Sequence, residues 1–154
     1  MLTSFFAKSK PINITLVLVL LSGFFIAANF QNWFLDFEIL KFFKILGVFL
    51  ALMLALFLLN FIAKKNDLTQ SSAYKILLFS VFCASFFPLL QDYNVIISAT
   101  LILLALRRII SLKSQITVEK KIFDAAFWIC IASLFYFWSI LFLLIVLGGI
   151  IIYS

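Results

Sequence analysis

The amino-acid sequence predicts an all-α fold, a polytopic transmembrane helical bundle. Of its 154 residues, 66% are hydrophobic and only 12% are charged, whereas soluble domains are closer to half apolar and a quarter charged. The mean hydropathy is +1.26, and 21 Phe accompany only 2 Pro and 4 Gly. A soluble domain of this length keeps too much of its surface in water to bury so many apolar side chains, so lipid is the expected solvent.

The apolar residues fall in runs separated by short polar segments, which predict about six membrane segments in a single transmembrane domain. The expected spans are residues 12–30, 42–62, 74–90, 94–111, 122–136 and 139–153. Pro11 suits a helix start, because the first N–H groups of a helix are unpaired anyway. The fourth run is short for a span unless its helix continues through Arg107 and Arg108, whose side chains can reach the membrane surface.

The first ten residues, MLTSFFAKSK, predict a short helix at the membrane interface. Leu2, Phe5 and Phe6 can share one face of this helix, with Lys8 and Lys10 toward water. A signal peptide is the alternative interpretation, since a basic start precedes an apolar run. The following run is long enough to span, and no cleavage site precedes a soluble domain, so the interfacial helix is preferred.

The apolar run at residues 122–153 predicts a hairpin of two short helices. One straight helix of this length would be near 48 Å long, at about 1.5 Å per residue, but the hydrocarbon core is only about 30 Å thick. The aromatic cluster from Phe135 to Trp138 and the adjoining Ser139 fall at the middle, where a turn would place them at the interface. One strongly tilted helix, giving five membrane segments in total, is the alternative.

The basic residues predict an orientation with the N-terminus in the cytoplasm. Ten of the twelve then lie inside, and Lys41 and Lys44 lie outside. This bias is what the positive-inside rule requires. The ten inner residues are Lys8, Lys10, Lys64, Lys65, Lys75, Arg107, Arg108, Lys113, Lys120 and Lys121.

Several kinds of chemistry are not expected. Histidine is absent, which removes the usual general acid–base residue and the commonest metal ligand, and we expect no cofactor and no metal site. Cys83 and Cys130 lie in separate apolar runs, where cysteine is ordinarily a small apolar filler. The net charge of +6 is placed at the ends of apolar runs, which indicates contact with anionic lipids and not nucleic acid.

Two groups of charged residues are candidate sites. Asp36, Glu38 and Asp92 lie on the outer side in the predicted topology, where one could act as a general base on an acceptor hydroxyl, although ordinary solvated loop acids are the commoner case. On the inner side, a basic cluster could bind lipid phosphate or an acidic partner; its alternative is a role in topology alone. That cluster comprises Arg107, Arg108, Lys113, Lys120 and Lys121, with Asp124 expected to cap the next helix.

Three segments of the chain resemble a known family. They are SFFAKSKPIN near the start, RRIISLKSQ, and KIFDAAFW followed by IASLFYFWS. These strings are similar to those of a family of uncharacterised multi-pass inner-membrane proteins from Bacteroidota, the domain-of-unknown-function family DUF6427. The resemblance implies an inner-membrane location and a longer parent protein. Because an apolar run ends the chain, we expect it to be the N-terminal part, or the ordered part, of that protein.

The residues favour a non-enzymatic role as a structural or accessory subunit of a cell-envelope membrane complex. Its partners would be membrane lipids and other membrane-protein subunits. The alternative is a membrane-embedded glycosyltransferase or polymerase fragment that uses polyprenyl-linked sugars, with Asp36 as its base. A transporter component is a weaker alternative, because no predicted span carries a charge near its centre.

Overall fold

The computed structural model describes residues 11–30, 38–66 and 73–153. Within these ranges the chain forms seven α-helices, two 3-10 helices and no strand, which confirms the all-α prediction. The helices are α1 Pro11–Ala28, α2 Ile39–Lys65, α3 Tyr74–Ser85, α4 Phe87–Gln91, α5 Tyr93–Ile110, α6 Val118–Phe135 and α7 Leu143–Tyr153; the 3-10 helices are Ser111–Ser114 and Phe137–Phe142. The predicted interfacial helix at residues 1–10 lies outside the described residues.

Three of the described helices are long and apolar enough to cross a membrane, which identifies the chain as a helical membrane protein. They are α1 with 18 residues, α2 with 27 residues, and α5 together with the first 3-10 helix, Tyr93–Ser114, with 22 residues. At about 1.5 Å per residue, even the shortest approaches the thickness of the hydrocarbon core. Tyr74–Ser85 and Phe137–Tyr153 are shorter apolar helices. As expected, α5 continues through Arg107 and Arg108.

The described residues divide into two compact units, one ending at Tyr93 and the other beginning at Asn94. In the first unit, α1 packs against α2, α3 and α4. Its buried side chains recur at three- and four-residue spacing, which places them on one face of the helix. These residues are Asn13, Val17, Leu21, Phe25 and Ala28. Helix α1 is therefore the central helix of the first unit.

The predicted span at residues 74–90 is interrupted at Phe86. Helix α3 ends at Ser85, and Phe86 leaves the helical region with φ −116° and ψ 66°. Pro88 follows in the first turn of α4. Because proline lacks an N–H and its ring crowds the carbonyl four residues earlier, an unbroken helix through this point is disfavoured. The predicted span ran through this point without interruption, whereas the helix breaks two residues before the proline.

In the second unit, α6 packs against α7 and against both 3-10 helices. Its core contains Ala105, Ile109, Leu112, Ala125, Ile129 and Val146. Ala105 and Ala125 leave room for neighbouring helices to approach closely, as small residues do in membrane bundles. Gly149 belongs to the same contact, because a Cβ atom there would lie 3.0 Å from Ile109 Cγ2.

The run at residues 122–153 folds back on itself. Helix α6 ends at Phe135, and Tyr136 adopts extended backbone with φ −141° and ψ 106°. Val146 on α7 then packs with Ala125 and Ile129 on α6. A buried hydroxyl pair also holds the returning segment, since Ser139 Oγ lies 2.5 Å from Ser98 Oγ on α5. The break falls within the aromatic cluster that the sequence indicated, and a single tilted helix is not observed.

The polar segment SLKSQITVEKK separates the fourth and fifth predicted spans. The connection between α5 and α6 is shorter than this segment. Its first part is a 3-10 helix, and α6 begins at Val118. Gln115 and Thr117 have left-handed backbone, each with φ 51°, a conformation that costs a residue with a side chain roughly 1–2 kcal/mol. Asp124 therefore lies in the second turn of α6 and does not cap it, so that prediction was wrong.

Candidate functional sites

A cavity of about 160 Å³ lies in the first unit, where the end of α1, the start of α2 and helix α4 meet. One part of its wall is apolar and the other is polar and basic. The apolar part is formed by Phe25, Ile45, Val48 and Leu90; the polar part is formed by Asn29, Lys41, Lys44, Gln91 and Tyr93. The combination of a cationic rim and an apolar floor suits an amphipathic anion.

Two side-chain amides join α1 to α4 beside this cavity. Asn29 Nδ2 donates hydrogen bonds to the carbonyl oxygens of Phe25 and Leu90, both at 3.1 Å. Gln91 Nε2 donates to the carbonyl oxygen of Ala28 at 2.8 Å. Carbonyls near helix ends lack partners within the helix, and leaving one unsatisfied in lipid costs several kcal/mol. The two amides therefore pair one carbonyl near the end of each helix, that of Ala28 on α1 and that of Leu90 on α4, and fix one wall of the cavity.

The two cavity lysines lie three residues apart near the start of α2, which places them on the same side of the helix. Lys44 Nζ lies 3.4 Å from the centroid of the Tyr93 ring, a cation–π contact. Lys41 Nζ lies 3.5 Å from Glu38 Oε1, and the two side chains are 49% and 64% exposed. A pair exposed to that degree contributes at most about 1 kcal/mol, so Lys41 remains available to a stronger anionic partner.

The structure describes two of the three candidate acids, Glu38 and Asp92. Asp36 lies outside the described residues. Glu38 directly precedes α2 and pairs with Lys41. Asp92 is exposed, follows α4 and stands between the cavity residues Gln91 and Tyr93. The structure thus places two of the three acids within a few residues of the cavity wall, but the lysines and amides, not the acids, line it.

The basic cluster of the second unit is largely committed to internal contacts. Arg108 Nη2 lies 3.0 Å from Asp124 Oδ2. Lys121 Nζ donates to the carbonyl oxygen of Ser111 at 2.8 Å and to Ser114 Oγ at 2.6 Å. These contacts fasten the start of α6 to the end of α5. Lys113 and Lys120 are exposed on the surface, where lipid phosphates could reach them.

Hydroxyl groups inside the apolar helices mostly bond to their own backbone. Thr15, Ser80, Ser85 and Thr100 each donate to the carbonyl oxygen four residues earlier, at 2.8 to 3.0 Å. Ser22 and Ser133 donate to the carbonyl three residues earlier, at 2.8 and 2.7 Å. Such bonds satisfy the hydroxyl without a partner helix. Each of these hydroxyl groups is therefore satisfied within its own helix.

Metal binding finds no support in the part of the chain that the structure describes, since it contains no group of three or more acidic, cysteine or histidine ligands. Cys83 and Cys130 are free thiols, half-buried and exposed respectively. Both lie within apolar helices, as the sequence indicated.

The cavity residues were not among the candidates chosen from the sequence. Lys41 and Lys44 carried one indication, because they are the two basic residues that the predicted orientation leaves outside. Asn29 and Gln91 each stand at the end of an apolar run, but their pairing depends on how the helices meet. No protein-family model, curated protein or solved structure matches this chain, so the family resemblance of its segments stays a prediction.

Proposed function

We propose that this chain is an accessory subunit of an inner-membrane complex in the bacterial cell envelope. The observation that supports it most directly is the exposed face of α1, on the side of the helix away from the core of the first unit. Gly23 and Ala27 are exposed there, four residues apart, and no described residue outside α1 has an atom within 4 Å of a Cβ placed at Gly23. Small residues at this spacing let a second transmembrane helix approach closely. The proposed occupant of the face is an apolar helix of a different subunit.

The composition of the spans agrees with a packing role. Only 28% of the residues of α1 are buried within the chain, which leaves an exposed face that can contact lipid or a partner. Most described hydroxyl groups of the spans are satisfied by their own backbone carbonyls, as described above, and Ser98 on α5 pairs with Ser139. The surface that the spans present to lipid or to a partner is consequently apolar. Such a surface suits helix–helix packing better than a polar transport path.

Substituting leucine for Gly23 tests this proposal. The protein is purified from its native membranes in a mild detergent, and the mass of the complex is measured. The wild-type chain should elute with a different subunit in fixed stoichiometry. G23L should lose that subunit, because a leucine side chain prevents close approach of the two helices.

The matched control is Gly47→Leu on α2. Gly47 is also exposed, and no described residue outside α2 has an atom within 4 Å of a Cβ placed there. G47L should keep the partner. A wild-type chain that elutes only as a monomer or as copies of itself would overturn the proposal, and so would a complex that G23L leaves intact.

The proposal includes six membrane segments with the N-terminus in the cytoplasm. The charge bias supports this orientation, since ten of the twelve basic residues then lie inside. The resemblance to the Bacteroidota family supports the inner-membrane location. In this arrangement the end of α1, the start of α2 and helix α4 lie at the outer surface.

Cysteine labelling tests the orientation at the two ends of α5. Asp92 precedes this helix and Lys113 follows it. In a background where Cys83 and Cys130 are alanine, D92C should react with a membrane-impermeant maleimide in intact spheroplasts. K113C should react only after the membrane is broken. The reverse pattern would invert the proposed topology, and labelling of both sites in intact spheroplasts would mean that α5 does not span.

A membrane-embedded transferase that uses polyprenyl-linked sugars is the second candidate. The observation that favours it is the basic cavity beside Glu38 and Asp92, because such a substrate joins a phosphate to an apolar chain. An acid acting as general base there must face the outer side, so an inward-facing D92C excludes this candidate as well. A transporter component has less support, since the described hydroxyl groups form no polar route.

A further inference from the structure

We propose that the cavity between α1, α2 and α4 binds the phosphate of an anionic membrane lipid. The lysines at its rim would hold the charged headgroup, and the apolar wall would contact the first part of the lipid tail. This inference concerns the first unit alone, and it holds whether or not the chain is an accessory subunit.

The positive charge at the rim of the cavity is the first reason to expect an anionic ligand. Lys41 and Lys44 place two cations on one side of α2; Glu38 directly precedes the helix and pairs with Lys41, but the first turn itself contains no acidic residue. The unpaired N–H groups of a helix start carry a partial positive charge as well, so the lysines add to this potential and do not offset it. The combined field is suited to an anion with several oxygen acceptors.

Existing contacts of the lysines leave room for such an anion. The ring of Tyr93 holds Lys44 without supplying a negative charge, and Glu38 reaches Lys41 only at 3.5 Å in an exposed pair. A phosphate that accepts hydrogen bonds from both ammonium groups forms shorter, charge-assisted bonds. Tyr93 then serves to position Lys44 at the rim.

The size of the cavity restricts the ligand. Its volume of about 160 Å³ is well below the roughly 300–1,000 Å³ typical of sites that enclose a whole organic molecule. A headgroup phosphate fits, whereas a sugar with its phosphate would have to extend outside. The apolar wall of Phe25, Ile45, Val48 and Leu90 offers no hydrogen bond, which suits an acyl or isoprenoid chain and not a soluble anion.

The position of the lysines gives a further reason, which rests on the orientation proposed above. In the proposed orientation, they are the two basic residues on the outer side, where the positive-inside rule disfavours them. Their presence in spite of that bias indicates a local role. Contact with anionic headgroups at that surface would provide it.

Native mass spectrometry of the full chain tests the proposal, with phosphatidylglycerol as the probe and phosphatidylcholine as the zwitterionic comparison. The wild-type chain should retain one phosphatidylglycerol molecule in preference to phosphatidylcholine. K41Q/K44Q should weaken that retention at least tenfold. The matched control is K64Q/K65Q, which removes two exposed lysines from the opposite end of the same helix and should leave retention unchanged.

Three other outcomes would contradict the proposal. Equal loss in K64Q/K65Q would show that the lipid responds to overall charge and not to the cavity. Unchanged retention in K41Q/K44Q would remove the lysines from the site. Competition by millimolar inorganic phosphate would assign the cavity to a free anion instead of a lipid. A thermal unfolding scan of each variant confirms that the comparison is made on folded protein.

Discussion

Replacing Phe25 by alanine should lower the free energy of unfolding by about 2–3 kcal/mol. In water-soluble cores the same change costs about 3–5 kcal/mol, as the sum of a transfer term and a cavity term. In a bilayer the transfer term largely disappears, because lipid tails are as apolar as the protein interior. The lost packing remains, and it is large at this position: Phe25 is 1% exposed, and its ring centroid lies 5.4 Å from that of Phe49 on α2.

The measurement is reversible unfolding in mixtures of a mild detergent and sodium dodecyl sulfate. Phe57→Ala on α2 is the matched control, since that ring is 51% exposed and should cost under about 0.5 kcal/mol. If the two variants lost equal stability, Phe25 would not be a central contact of the first unit. Because Phe25 also lines the cavity, F25A should in addition loosen the apolar wall against which a lipid tail rests.

The helices could be predicted from the sequence because lipid imposes a simple condition on the backbone. Every N–H and C=O within the hydrocarbon must be paired inside the segment, so a long apolar run has to be helical. This is why residues 12–30 and 42–62 anticipate α1 and α2 within a few residues. The same argument predicted that α5 would pass through Arg107 and Arg108, since long basic side chains reach water from the end of a helix.

Hydropathy failed where a helix continues through charged residues. The sequence placed the start of α6 near residue 122, because Glu119, Lys120 and Lys121 precede it, but the helix begins at Val118. Backbone hydrogen bonding does not require apolar side chains, and Lys121 is satisfied by Ser111 and Ser114. The pairing of Asp124 with Arg108 was also missed. It depends on how α5 and α6 face each other, which hydropathy does not describe.

The cavity could not be predicted because its residues come from three separate places in the chain. Asn29 and Leu90 meet only once α1 and α4 are packed. The charge pattern marked Lys41 and Lys44 as exceptions but gave no reason to connect them with Tyr93. Hydropathy identifies which segments enter the membrane, whereas the contacts between segments depend on side-chain shape.

Leucine at Gly149 should destabilise the second unit by about 1–3 kcal/mol, the usual cost of forcing a larger side chain into a packed contact. Gly148 and Gly149 are adjacent in the sequence, and only the structure distinguishes the one that makes a close helix contact. A Cβ at Gly149 would lie 3.0 Å from Ile109 Cγ2 and 3.4 Å from Leu112 Cδ1. Both neighbours belong to the buried core, so neither can move aside freely.

Gly148→Leu is the control, because no described residue outside α7 has an atom within 4 Å of a Cβ placed there. It adds the same side chain to the same helix one residue away, on a face that lipid can accommodate. Unfolding in mixed detergents should therefore separate the two variants by 1 kcal/mol or more, a difference that helix propensity cannot produce because both exchange glycine for leucine. Alanine at Gly149 should fall between them, since its methyl group requires a shift of only a few tenths of an ångström. Equal stability of G148L and G149L would mean that α7 does not approach Ile109 and Leu112 as closely as the structure indicates, and the returning half of the helical hairpin would then be more loosely packed.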